Sequence, residues 1–206
     1  MTTLALVDAG GANLGSVRYA LERLGVEARI VRDGDGLRDA GRIILPGVGA
    51  AAPAMALLLE RGLVAPLRAA KVPLLGICLG MQMLFDRSFE YGEHKGLGLI
   101  AGDVIDMRPQ ISANLKVPHI GWNALKLTQP VHPLFRNIQE GDCVYFVHSF
   151  YAANCEEATI ATAEYGAELT AAVASGNVYG CQFHPEKSGK VGLNILRAFS
   201  EQTETQ

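Results

Sequence analysis

The sequence predicts an α/β fold: an open, mostly parallel twisted sheet with helices on both faces, plus an antiparallel strand insertion. Two observations predict it. Over residues 4–85, short apolar runs alternate with helical patterns, and that alternation builds parallel sheets covered on both sides. From 102 to 182 the helical periodicity fades into short runs separated by turns, the pattern of antiparallel strands.

The first strand is expected at 4–8. Asn13 then stands where it can cap a helix. Leu14, Val17, Leu21 and Leu24 recur at helical spacing until Gly25 stops the run. Strands follow at 27–31 and 42–45, the second running into a PGVG loop. A helix covers 55–59. A fourth strand at 72–77 leads into a helix at 79–85. Residues 103–107, 123–127 and 144–147 read as antiparallel strands, continued by 159–163, 169–174 and 178–182. The last helix is expected over 190–200, with Val191, Ile195 and Phe199 on one face. No linker, repeat or low-complexity tract divides the 206 residues, so a single domain spanning 1–206 is expected.

Composition removes several function classes. Hydrophobic residues make up 49% and charged residues 19%, which argues against a disordered chain. Eighteen basic residues against 21 acidic ones leave −3, so no basic excess points to nucleic acid or a membrane surface. The N-terminus lacks the basic start and apolar run of a signal peptide. The longest uncharged stretch, 43–59, carries Pro46, Gly47, Gly49 and Pro53 and is too short for a membrane helix. A cytoplasmic protein is expected. The four cysteines form no CxxC pair, so neither a metal cluster nor a disulfide frame is expected, and no cofactor is implied.

Three motifs carry chemistry. The first is GICLG at 76–80, between a strand and a helix. Hydrolases present a nucleophile in the same geometry with G-x-S-x-G. Small residues two before and two after Cys78 let the neighbouring strand and helix close in. A thiol at a helix start faces the positive end of the helix dipole, which favours the thiolate. The Leu79 amide points into the same space as an oxyanion donor. Taken alone, the pentapeptide also fits a buried structural cysteine between packing glycines.

The second motif is FHPE at 183–186, after the strand at 178–182. A thiol nucleophile needs a base that works near pH 7, and that base needs a partner to fix its tautomer. In extended backbone, residues two apart face the same side, and Pro185 biases His184 toward that geometry. Glu186 then reaches the far ring nitrogen of His184. A solvated loop histidine beside a capping glutamate is the plainer alternative. His119 and His148 compete for the role of base, while His94 and His132 read as surface. His184 is preferred because it alone has a carboxylate at an orienting spacing. The third motif, LPGVG at 45–49, exposes backbone amides that can form an anion nest, with Val48 as second oxyanion donor. It also fits an ordinary strand-to-helix loop.

With these pieces in this order, the sequence resembles the class I, triad-type glutamine amidotransferases over nearly its whole length. GANLGSV, GICLGMQML, KGLGLI, KVPHIGWN, YFVHSFY and FHPEKSG are similar to a narrower branch, the glutaminase subunits of imidazole glycerol phosphate synthase. Ala12 stands where the family usually has Gly, and Ala9 where Tyr is common. The resemblance implies the family's flavodoxin-like sheet, with Cys78 as nucleophile, His184 as base and Glu186 as its orienter. It implies Val48 and Leu79 as oxyanion donors, and Gly49, Gln82, Glu90 and Ser149 as contacts for the substrate glutamine. Asn13, Trp122 and Lys187 match positions near a partner, the cyclase subunit of the synthase, with which a heterodimer is implied. Simpler roles remain: Gln82 as a helix polar face, Glu90 as a solvated acid, Trp122 as core and Lys187 as surface. The implied activity is glutamine hydrolysis through a cysteine thioester, with ammonia passed to the cyclase for histidine biosynthesis. The alternatives are a glutaminase serving another synthase, a stand-alone cysteine hydrolase, or a non-enzymatic binding domain.

Overall fold

The computed structural model describes residues 3–10 and 13–202. In chain order, the first half comprises β1 (Thr3–Val7), α1 (Leu14–Arg23), β2 (Ala28–Val31), β3 (Ala40–Gly47), α2 (Ala51–Glu60), α3 (Val64–Ala69), β4 (Leu74–Cys78), α4 (Leu79–Gln82) and β5 (Phe85–Ser88). The second half comprises β6 (His94–Lys95), β7 (Ile100–Asp106), β8 (His119–Ala124), β9 (Lys126–Leu127), β10 (Cys143–His148), β11 (Phe150–Ala153), β12 (Thr159–Glu164), β13 (Glu168–Ser175), β14 (Val178–Cys181) and α5 (Gly189–Ser200).

The main sheet has eight strands in the order β2-β1-β3-β4-β14-β13-β12-β9. The five from β2 to β14 run parallel. The remaining pairs, β14–β13, β13–β12 and β12–β9, are antiparallel. Strand alternation splits the apolar residues between two faces. Leu4, Leu6, Ile44, Leu75 and Ile77 pack under α1 and α5, against Val17, Leu21, Ile195 and Phe199. Ala5, Val7, Ile43, Leu45 and Leu74 pack on the other side, against Ala54 and Leu58 of α2 and Leu67 of α3. All five residues of β4 are buried, as befits a central strand covered on both faces. The antiparallel part also builds a β8–β10 ribbon and a four-stranded sheet, β11-β7-β5-β6. Within the latter, β5 and β7 run parallel.

Several elements differ from expectation. The strand expected over 123–127 is split between the end of β8 and β9. The one expected at 178–182 among the antiparallel strands pairs parallel with β4, and β5, β6 and β11 have no counterpart in the sequence pattern. The helix expected over 79–85 ends at Gln82, and β5 begins at Phe85. Beyond Gln82 the chain bonds to a distant segment instead. Leu97 N–H donates to Met83 O at 2.7 Å, and the Leu99 and Ile100 amides donate to Leu84 O at 2.8 and 3.1 Å. The chain at 83–84 is thereby drawn into sheet pairing. Helix α2 is longer than the expected 55–59, and α3 has no counterpart in the sequence pattern because its six residues carry Pro66. Among the described residues, no helix is long and apolar enough to cross a membrane.

The topology brings the three motifs together. β3, β4 and β14 are adjacent, with Gly47 paired to Cys78 and Cys181 paired to Ile77. The LPGVG loop, the cysteine turn and the FHPE segment therefore emerge side by side at the carboxyl edge, where open α/β sheets bind ligands. The two glycines flanking Cys78 let this edge close. A Cβ on Gly80 would overlap the Leu45 carbonyl oxygen, and one on Gly76 would lie 2.6 Å from the Met81 backbone. Gly80→Ala is expected to destabilise the fold by about 3 kcal/mol through forced backbone displacement. Urea unfolding checks this; an unchanged midpoint would contradict the close approach of β3 and α4.

Candidate active site

Cys78 ends β4 with φ 53° and ψ −110°. A residue with a side chain holds such backbone only at a cost of about 1–3 kcal/mol, and such strain clusters at functional sites. The turn keeps the sulfur in place: Cys78 is 8% exposed. Its Sγ donates to the Val147 carbonyl at 3.7 Å and accepts from Gln182 Nε2 at 3.8 Å. The expected help from a helix dipole is reduced, because α4 spans only four residues.

His184 and Glu186 meet, but not through extended backbone at both. His184 is extended, at φ −99° and ψ 94°, whereas Pro185–Lys187 forms a single 3-10 turn. That turn folds Glu186 back, and His184 Nδ1–H donates to Glu186 Oε1 at 2.8 Å. The carboxylate fixes the hydrogen on Nδ1 and leaves Nε2 for proton exchange with the sulfur. The segment is pinned to β10: His184 N–H donates to Tyr145 O at 2.9 Å, and Ser188 Oγ accepts from Tyr145 N–H at 2.9 Å. The same Ser188 hydroxyl donates to His184 O at 2.6 Å. Burial opposes a charge on His184. Hydrogen bonding and attraction to Cys78 and Glu186 outweigh it and lift the ring to a pKa of about 9.

Cys78 and His184 line one cleft of about 320 Å³. Val48, Gly49 and Leu79 form its wall on the β3–β4 side, and Gln82, Glu90 and Ser149 line it as well. Its size and mixed lining suit a small polar ligand. A larger groove of about 700 Å³, lined by Asp33, Arg38 and Lys71, opens at the amino-terminal end of the strands, away from this chemistry.

A family model described as glutamine amidotransferase class-I matches residues 5–202. This chain belongs to the class-I glutamine amidotransferases. Its curated relatives include the imidazole glycerol phosphate synthase subunit HisH of Xanthomonas campestris pv. campestris (strain 8004), 54% identical over 98% of both chains. The subunit HisH of Xylella fastidiosa (strain 9a5c) is 52% identical over the same shares. Among solved structures, a glutamine amidotransferase aligns with a TM-score of 0.74 at 22% identity, covering 96% of this chain and 97% of that one. PurLQS from Thermotoga maritima aligns with a TM-score of 0.75 at 20% identity, covering 97% of each chain. At these identities the structures speak for the fold alone.

Within this class-I amidotransferase, several residues do more than the sequence suggested. Gln82 is buried, and its Nε2 donates to Phe150 O at 2.9 Å and to Gln182 Oε1 at 3.0 Å. Glu90 Oε2 accepts from Ala51 N–H at 2.8 Å, so it caps α2 from a distance while lining the cleft. Trp122 is not core: it is 58% exposed on β8, edge-on to Tyr145. Lys187 is exposed at the cleft rim. Asn13 does not cap α1 through its side chain. Its backbone is helical, at φ −90° and ψ −3°, whereas capping residues are extended. Its carboxamide is buried and turned toward His184 and Glu186. Ala9 is buried, and Ala12 lies outside the described residues.

Two features were missed by the sequence reasoning. Gln182 joins Gln82 to the Cys78 sulfur; its position just past β14 and two before His184 was the available signal. His119 and His148 form a buried chain, with His119 Nδ1–H donating to His148 Nε2 at 3.0 Å and His148 Nδ1–H donating to Phe150 O at 2.9 Å. Burial lowers them to about 4 and about 3, so both stay neutral. Both ring nitrogens of His148 are engaged, which leaves it no free lone pair to take up a proton. His132, expected as plain surface, accepts from Leu134 N–H and caps a short turn.

The pKa of His184 in the fold lies above its ordinary 6.5. Protonation therefore stabilises the fold fully below about 6.5, and this contribution is lost as pH rises through about 9. Urea unfolding of wild type and His184→Asn across that window should give a stability gap that narrows with rising pH. A gap that widens or stays constant would contradict the charged pair.

Proposed function

We propose that this chain is the glutaminase subunit of imidazole glycerol phosphate synthase. It hydrolyses glutamine and hands the ammonia to a cyclase partner in histidine biosynthesis, acting in the cytoplasm as the one-domain member of a heterodimer. The observation that carries the chemistry is a strained Cys78 sharing one cleft with an imidazole that Glu186 orients at 2.8 Å. The pathway rests on relatives of that name, matched over 98% of both chains.

The Cys78 thiolate attacks the carboxamide carbon of glutamine, breaking the C–O π bond and placing the electron pair on oxygen. The Val48 and Leu79 amides are assigned to that oxyanion. Each such donor is worth about 3 kcal/mol of barrier. His184, held as imidazolium by Glu186, protonates the leaving nitrogen and ammonia departs. A water then loses its proton to His184 and attacks the thioester, releasing glutamate and returning the thiolate. Gly49, Gln82, Glu90 and Ser149 orient the substrate. Trp122 and Lys187, both exposed, belong to the face that meets the cyclase.

Assays with the cyclase test this reading. Cys78→Ala abolishes glutamine hydrolysis and leaves synthesis from ammonium salts intact. Glu186→Gln lowers glutaminase kcat less severely. Hydrolysis that survives Cys78→Ala removes the thioester route, and an activity that responds to another synthase but not to this cyclase removes the pathway.

A further inference from the structure

We infer that Asn13 is a positioning residue for glutamine hydrolysis that acts through Glu186; this rests on the triad reading above. Asn13 precedes the first helix, 173 positions before Glu186, yet its Nδ2–H donates to Glu186 Oε1 at 2.7 Å. The same nitrogen lies 3.4 Å from His184 Nδ1. Asn13 is 6% exposed and the Glu186 side chain 0%. Oε1 takes both hydrogen bonds, from His184 and from Asn13, while the buried Oε2 has no partner among the described residues. Asn13 is therefore the one side-chain donor besides His184 that this carboxylate has among the described residues.

A carboxylate removed from water stays ionised only where donors replace its hydration. Among the described residues no Arg or Lys pairs with Glu186, so a neutral amide carries that task with the imidazole. The two donors on one oxygen also fix the rotation of the carboxylate. With Asn13 gone, the carboxylate turns more freely and its hold on the Nδ1 hydrogen weakens. The imidazole then presents Nε2 to the sulfur less often. Asn13 lines neither the cleft nor the sulfur, so substrate affinity is spared.

The experiment measures glutaminase kinetics at saturating cyclase for Asn13→Ala, Asn13→Asp, Glu186→Gln and the double variant Asn13→Ala/Glu186→Gln. A hydrogen bond to a charged, buried acceptor predicts a kcat loss of about tenfold to a hundredfold in Asn13→Ala, with KM for glutamine within about twofold. Asn13→Asp keeps the size but exchanges the amide donor for a second carboxylate beside Glu186, so kcat falls and the unfolding temperature drops, whereas Asn13→Ala adds no charge and stays folded at the assay temperature. The double variant falls no further than Glu186→Gln, because both changes break one unit. The inference is overturned if Asn13→Ala keeps wild-type kcat, or if the two losses multiply in the double variant. Undiminished activity in Glu186→Gln would instead sink the triad reading itself.

Discussion

Cys78 keeps a backbone angle that side-chain-bearing residues avoid, and everything at the site is arranged around keeping it there. The turn closes because Gly76 and Gly80 carry no side chain where Met81 and the Leu45 carbonyl come close. That closeness places β3, β4 and α4 in one packed unit, so the LPGVG loop sits beside the sulfur. Local strain of a few kcal/mol persists only when surrounding packing over-determines it. The fully buried β4, sandwiched between the two apolar layers, supplies that packing.

The second layer is electrostatic. A buried imidazole would ordinarily resist charge, as His119 and His148 do. His184 differs because Cys78 and Glu186 flank it, and its pKa moves the opposite way. One fold thus holds neutral and charged histidines close to one another at its strand edges, separated by their partners rather than by depth. The neutral pair orders the Phe150 carbonyl, which Gln82 also grips, and so frames the cleft wall formed by residues 147–150.

Much of this was legible in the sequence. The alternation of apolar runs and helical patterns announced the parallel sheet, and GICLG and FHPE marked two segments that meet at one cleft. Long-range pairing was not legible. Nothing local in residues 83–84 announces that Leu97, Leu99 and Ile100 will bond to their carbonyls. Asn13 fits a helix cap because caps are a local pattern, whereas its actual bond spans almost the whole chain. Glu186 reaches His184 through a 3-10 turn, although residues two apart share a side only in extended backbone. Periodicity reports what one segment buries; it does not report which distant group a buried amide or carboxylate meets.

The most direct measurement is a crystal structure of the protein after reaction with a glutamine-mimicking diazoketone. A single adduct bonded to Cys78 Sγ is predicted, with the His184 ring beside that sulfur and its Nδ1 still on Glu186. Modification at exposed Cys143 instead, or an adduct on Cys78 facing away from His184, would contradict the shared cleft as the seat of catalysis.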